Sequence, residues 1–244
     1  LVRHEDVDEA TARAVIAKVR AEADRDLTEW EARAVFKAYG LPVARMRLAA
    51  TEDEAAIAAA ELDGSVVLKI LSPDILHKSD AGGVKVNIQG EAAVRAAFRE
   101  IIANAKAYRP DADIRGVVVQ DLAKKGTEII LGSVNDATFG PTVMFGLGGI
   151  FVEILKDVTF RVAPVSPEQS FKMLSDINGG PILEGARGEA PKDRQALAEV
   201  LSRYSQMIGD LGDEVLETDA NPVIVYDEGD GVCIVDARVI LKAE

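Results

Sequence analysis

Leu76-His77-Lys78-Ser79-Asp80-Ala81-Gly82-Gly83-Val84-Lys85 is a polar segment that ends in paired glycines and runs into an apolar strand. Paired glycines ahead of a strand let backbone N–H groups approach an anion closely, as phosphate loops require, and they are also ordinary turn chemistry. His77 is one of two histidines in 244 residues. A histidine in a polar loop is ordinarily a solvated residue. Neutral imidazole is also a competent nucleophile toward phosphorus, and a mobile loop could carry it between sites.

On both sides of this loop the pattern is of strands interspersed with helices. Strands are predicted at Ser65–Leu71 and Gly83–Ile88, followed by a long helix from Glu91 to about Tyr108. Upstream, residues 8–24 read as a polar, Ala-rich helix. Thr28 with Glu31 forms a capping box closed by Gly40, and Thr51 with Glu54 repeats the device before Gly64. Downstream, Val117–Gln120 and Glu128–Val134 read as strands, 167–177 and 191–209 as helices, and 214–242 as a strand-rich tail. Without regular βαβ alternation, this order predicts α+β lobes, with a crossing between them at Pro110–Asp111.

Composition narrows the function. A net charge of −13, with no basic run interleaved with aromatics, argues against nucleic-acid binding, and any polyphosphate would need a local cluster of cations. The longest nearly charge-free apolar stretch, Val143–Val152, is too short to span a membrane, and the N-terminal residues lack a secretory core. The single cysteine, Cys233 in Val-Cys-Ile-Val, is predicted as a buried strand residue in a reducing compartment, the cytoplasm.

Several residues could serve a polyphosphate. Lys69 sits in the apolar strand Val-Val-Leu-Lys-Ile, where a lysine needs an anionic partner unless it snorkels at an edge. Asn221-Pro222-Val-Ile-Val-Tyr226 and Val232-Cys-Ile-Val-Asp236 flank the turn Asp227-Glu-Gly-Asp230 and predict a hairpin. Counting back from that turn places Asn221 opposite Asp236, where an amide oxygen and a carboxylate suit Mg²⁺. A slip of one residue would put them on opposite faces. Gly146-Leu-Gly-Gly-Ile-Phe-Val-Glu153 could form another anion-binding turn, with Lys156, Asp157 and Arg161 as a charged wall or as a solvated salt-bridge face. Arg187, in Gly185-Ala-Arg-Gly188, could clamp a phosphate or cap a loop.

In this order, the segments resemble the ATP-grasp family, and within it the β subunits or β-like domains of ADP-forming acetyl-CoA and other acyl-CoA synthetases, of the succinyl-CoA synthetase-like superfamily. The resemblance runs from about Leu27 to the end, and its most specific piece is His-Lys-Ser-Asp-Ala-Gly-Gly-Val at 77–84. It implies an α+β ATP-grasp fold, two lobes clasping a nucleotide. Residues 1–26 would be an N-terminal helix and linker and 27–244 the ATP-grasp domain, with a small lobe at about 41–116 and a large lobe at about 117–244.

The resemblance also assigns roles. Lys69 would hold nucleotide phosphate with Gly82 and Gly83, Gln120-Asp121-Leu122 would line adenine, and Glu128 would approach the ribose or phosphates. Asn221 and Asp236 would bind Mg²⁺, and Glu153, Asp157, Arg161 and Arg187 would contact phosphate or loop. Where the family places a glutamate, this chain has Asp219, a shorter acid not counted among the ligands. His77 would take the γ-phosphoryl group of ATP as a phosphohistidine and deliver it to a CoA-binding α partner. That partner would make the acyl phosphate that CoA captures. Two other readings of the residues are a stand-alone ATP-grasp carboxylate–amine ligase, which needs no phosphohistidine, and a nucleotide-binding regulatory domain.

Overall fold

The computed structural model describes residues 3–22, 26–149 and 156–243. The chain forms two compact units, residues 44–124 and residues 1–43 with 125–244. Two helices open the chain in the larger unit. In α1 (Glu9–Glu22), Ala12, Ile16 and Val19 make one buried stripe. Arg13 ties that helix to Glu214 at 2.6 Å and to the Asp210 carbonyl at 2.6 Å. In α2 (Glu29–Ala38), the expected capping box is complete: Thr28 Oγ1 accepts from the Glu31 amide, and the Glu31 carboxylate accepts from the Thr28 N–H at 2.8 Å.

The smaller unit comprises β1 (Met46–Ala49), α3 (Glu52–Leu62), β2 (Val66–Leu71), β3 (Val84–Ile88), α4 (Glu91–Tyr108) and β4 (Gly116–Asp121). Its strands pair antiparallel in the order β1-β4-β2-β3. Val66, Leu68, Ile70, Val117 and Val119 pack on Ala55, Ala58, Val94, Phe98 and Ile101, so α3 and α4 cover one face. By strand alternation, Val67, Lys69, Val118 and Gln120 lie on the other. Thr51 caps α3, but the Glu54 carboxylate takes the Ala50 N–H instead of the Thr51 N–H. The left-handed residue that ends α3 is Asp63, with φ 54°, one position before the expected Gly64.

The larger unit continues with β5 (Thr127–Asp136), β6 (Gly140–Leu147), β7 (Val158–Val162), α5 (Pro167–Met173), α6 (Gly180–Leu183), α7 (Arg194–Asp210), β8 (Val215–Val225), β9 (Val232–Ile234) and β10 (Ala237–Leu241). Its sheet runs β10-β8-β5-β6-β7, with β9 also pairing to β8. Ile129, Leu131, Val143, Phe145, Ala220, Val223 and Val239 pack with α1, α2 and α7 in one core. Within it, Phe36 meets Tyr204 edge-on at 5.7 Å.

The division of the chain differs from the sequence expectation. The 117–120 strand, assigned to the large lobe, belongs to the smaller sheet, where β4 is hydrogen-bonded between β1 and β2. The chain therefore leaves the smaller unit at 124–125 and not at Pro110–Asp111. The N-terminal helix expected at 8–24 is present as α1, and it contributes to the core of the larger unit. β1, β6 and β7 had no sequence reading, and the 167–177 helix stops at Met173. Cys233 lies on a strand as expected but is half-buried. No helix among the described residues is long and apolar enough to cross a membrane.

Candidate functional site

In the smaller unit, the 72–83 loop is held at both ends. Asp74 accepts the Asp113 N–H through its carboxylate at 2.7 Å, and its carbonyl accepts from Arg109 at 2.9 Å. Ile75 is buried in the core under α4. At the far end Asn104 donates to the Gly82 carbonyl at 3.0 Å. Between these anchors Leu76 and His77 are exposed. The paired glycines do not form the open anion cradle the sequence allowed. The Gly82 N–H goes to the Ser79 carbonyl at 3.0 Å and the Gly83 N–H to that of Lys78 at 2.8 Å, so both fold the loop on itself. A Cβ on Gly83 would lie 2.6 Å from Ile70 Cγ2 and 3.0 Å from the Lys78 carbonyl, so glycine is there for close packing.

Lys69 is 7% exposed, on the sheet face away from α3 and α4, between Val84 and Val118 in the ladders. Gln120, fully buried, shares that face one diagonal step from Lys69. The next two residues are committed inside this unit. The Asp121 carboxylate pairs with Arg45 at 2.6 Å, its N–H goes to the Arg45 carbonyl, and the Leu122 N–H goes to that of Ser65. Of Gln120–Leu122, Leu122 presents a half-exposed side chain.

The larger unit carries the acids. Val223, Ile224 and Val225 face Ile234, Cys233 and Val232, and Ala220 and Asp219 face Ala237 and Arg238. Both ladders continue the register counted from the Asp227–Asp230 turn, and between them the Val235 N–H meets the Pro222 carbonyl at 3.0 Å. Asn221 and Asp236 lie in the break between these two ladders, where the same count would set them opposite each other. The pairing of β8 with β5 shifts by one residue at this point, a bulge that interrupts the ladder and turns the strand there.

Asp219 lies two residues before Asn221 and within electrostatic reach of Asp236. Burial pushes its carboxyl up to about 6, with Asp236 and Glu217 adding to the rise and Arg238 opposing it. Its Oδ1 is buried without a hydrogen-bond partner. Two mutually repelling acids, one oxygen of which is unsatisfied, beside an amide oxygen fit a hard divalent cation. Among the described residues no three His, Cys, Asp or Glu side chains cluster for a metal, so such a cation would complete its shell with water and ligand phosphates, as Mg²⁺ does.

Elsewhere in this unit, Glu128 is exposed and its carbonyl accepts the Gly148 N–H at 2.8 Å. A Cβ on Gly149 would stand 3.9 Å from Glu128 Oε2, which places this carboxylate against the glycine-rich turn. The rest of the charged wall is structural in its contacts. Asp157 accepts from the Asn178 and Gly179 amides at 2.8 and 2.7 Å, and Arg161 pairs with Asp176. Glu153 and the side chain of Arg187 lie outside the described residues. His4 is not an idle surface residue, since Nε2 meets Ser202 Oγ at 3.0 Å on α7.

A family model described as the ATP-grasp domain matches residues 18–241. The β subunit of an ADP-forming acetate–CoA ligase II from Pyrococcus furiosus is 48% identical over 228 residues, covering 93% of this chain and 97% of that one. A crystal structure of a protein from Pyrococcus horikoshii superposes with a TM-score of 0.92 at 48% identity, over 96% of this chain and 99% of that one. The chain belongs to the ATP-grasp family. Within the family, it groups with the β subunits of ADP-forming acyl-CoA synthetases. An acetyl-CoA synthetase from Ca. Korarchaeum cryptofilum, solved with coenzyme A, acetyl-coenzyme A and a phosphorylated phosphohistidine segment, has a TM-score of 0.87 at 44% identity. It covers 95% of this chain, and all of that chain is matched. Against the ATP-grasp pattern, Asp219 is the site residue that sequence reasoning set aside. Its spacing of two from Asn221 already put both on one strand face, and only its shorter side chain argued otherwise.

Proposed function

We propose that this chain is the ATP-binding, phosphoryl-transferring β subunit or β-like domain of an ADP-forming acyl-CoA synthetase. With a CoA-binding α partner it converts acid, CoA and ATP to acyl-CoA, ADP and phosphate. The observation that carries the assignment of roles is the presentation of His77, exposed on a loop whose two ends are pinned to the smaller unit. The Korarchaeum enzyme, also solved with Mg-AMPPCP and its phosphohistidine segment pointing toward the nucleotide site, supports the same reading.

His77 is the nucleophile. An imidazole nitrogen bonds to the γ-phosphorus of ATP as the bond to the β–γ bridging oxygen breaks. ADP departs with the electron pair, and the ring N–H proton passes to solvent. Lys69 neutralises phosphate charge in ground and transition states, and Gln120 to Leu122 bind the base. Glu128, beside the glycine-rich turn, approaches the ribose or phosphates. Asn221 and Asp236, with Asp219 beside them, would hold Mg²⁺, which offsets charge developing on the phosphate oxygens. The phosphoryl group then passes from His77 to a histidine of the α partner, which generates the acyl phosphate that CoA thiol attacks. The chain carries a single cysteine, which favours a reducing compartment, the cytoplasm.

The test is reconstitution. The purified chain with acid, CoA and Mg·ATP should release ADP only stoichiometrically, and an α part should restore turnover. Replacing His77 by Asn should abolish that turnover while Mg·ATP affinity stays within about twofold, because nucleophilic catalysis needs the imidazole and ground-state binding does not. Full turnover by the chain alone would instead identify a self-contained ligase.

A further inference from the structure

Arg238 lies on β10, two residues after Asp236 and directly opposite Asp219 in the β10–β8 ladder. An arginine flanked by two carboxylates ordinarily closes on one of them as a two-pronged ion pair. This one is exposed, and among the described residues it makes no ion pair within 4.0 Å. Its influence on Asp219 is electrostatic only. The row across the sheet runs Arg238, Asp219, Gly132, Met144, Phe160. A Cβ on Gly132 would meet Met144 Cε at 3.0 Å, so an apolar side chain bounds Asp219 on that side and the guanidinium bounds it on the other.

We infer that Arg238 is a phosphate-binding residue that acts only once the two acids have taken their cation. This rests on the function proposed above. The charge count gives the reason. Two carboxylates cancel one divalent ion, so with Mg²⁺ bound the acids no longer repel a nucleotide carrying several negative charges, and the metal draws its phosphates within reach of the guanidinium. Without the metal, Asp219 and Asp236 repel the phosphates and nothing holds them beside the guanidinium, so Arg238 adds little to the binding of free nucleotide. The planar fork suits two phosphate oxygens at once, which a lysine's point charge does not. Arg238 would thereby make nucleotide affinity depend on metal more steeply than the ligands alone require.

The experiment is calorimetric titration of native chain, Arg238→Met and Arg238→Lys with ATP, in excess Mg²⁺ and in EDTA, with thermal melts as a check on folding. Arg238→Met should weaken Mg·ATP about 10- to 100-fold. It should change metal-free ATP by less than about twofold, and Arg238→Lys should recover part of the loss. The exposed position means that the melting temperature should hold. Equal losses with and without metal, or no loss in either, would overturn the inference while leaving the ATP-grasp function standing. A native chain that bound no Mg·ATP would remove both together.

Discussion

The β8–β10 hairpin and the 72–83 loop were both read as ligand sites, and the structure treats the two readings differently. In the hairpin the count from the Asp227–Asp230 turn matches the register of the ladders on both sides of Asn221 and Asp236. In the loop, the residue types were right for a phosphate cradle but the amides point inward, to Ser79 and Lys78. A strand transmits position through its hydrogen bonds. A loop's amide directions depend on tertiary anchors such as Asn104, which lies 22 residues away from the Gly82 carbonyl it holds. A paired hairpin keeps its candidate ligands in register, whereas the loop holds one exposed histidine between two tied ends.

The largest expected effect sharpens the hairpin side. Asp236→Ala should weaken Mg·ATP by roughly 100-fold, the scale on which metal sites respond to loss of their partners, and metal-free ATP far less. Calorimetry in Mg²⁺ and in EDTA reads the difference, and equal losses would remove the metal assignment. Next, Lys69→Ala should weaken nucleotide by about tenfold and lower the phosphorylation rate by more, since the lost charge served both bound ground state and transition state. A rate loss no larger than the affinity loss would restrict Lys69 to binding.

Two smaller effects probe the loop side. Gly83→Ala should cost about 1–3 kcal/mol, because the added methyl has Ile70 and the Lys78 carbonyl in its way. Chemical denaturation of the variant measures this. If the glycines instead served as an anion cradle, the variant would lose nucleotide affinity at unchanged stability. Thr28→Ala, at the N-cap of α2, should cost about 1 kcal/mol by losing the capping box and leave every binding constant alone.

How much was legible follows the same division. The capping box at Thr28 and Glu31, the Glu91–Tyr108 helix and the strand carrying Lys69 were readable because their signals are local. β1 and β7 were not, being four and five residues long, and β1 is held by β4, a partner distant in sequence. The assignment of β4 to the smaller sheet could not be read at all, since pairing with β1 and β2 is a tertiary choice between two available sheets. Of the site, residue types and the hairpin register were visible. The environment of Asp219 was not, because it arises from burial and from Asp236 and Arg238 on neighbouring chain segments. The committed contacts of Asp157 and Arg161 were equally invisible, since Asn178, Gly179 and Asp176 reach them from another loop.

The central claim is that His77 carries the phosphoryl group, and locating that group tests it most directly. The chain incubated with Mg·ATP, kept at alkaline pH where a phosphoramidate persists, can be digested and its phosphopeptides fragmented under conditions that retain phosphate. The account predicts phosphate on the imidazole of His77, in the peptide spanning 72–85, released by brief acid and absent from His77→Asn. Phosphate on the neighbouring Ser79, which would survive acid, or on His4 against α7, would contradict it.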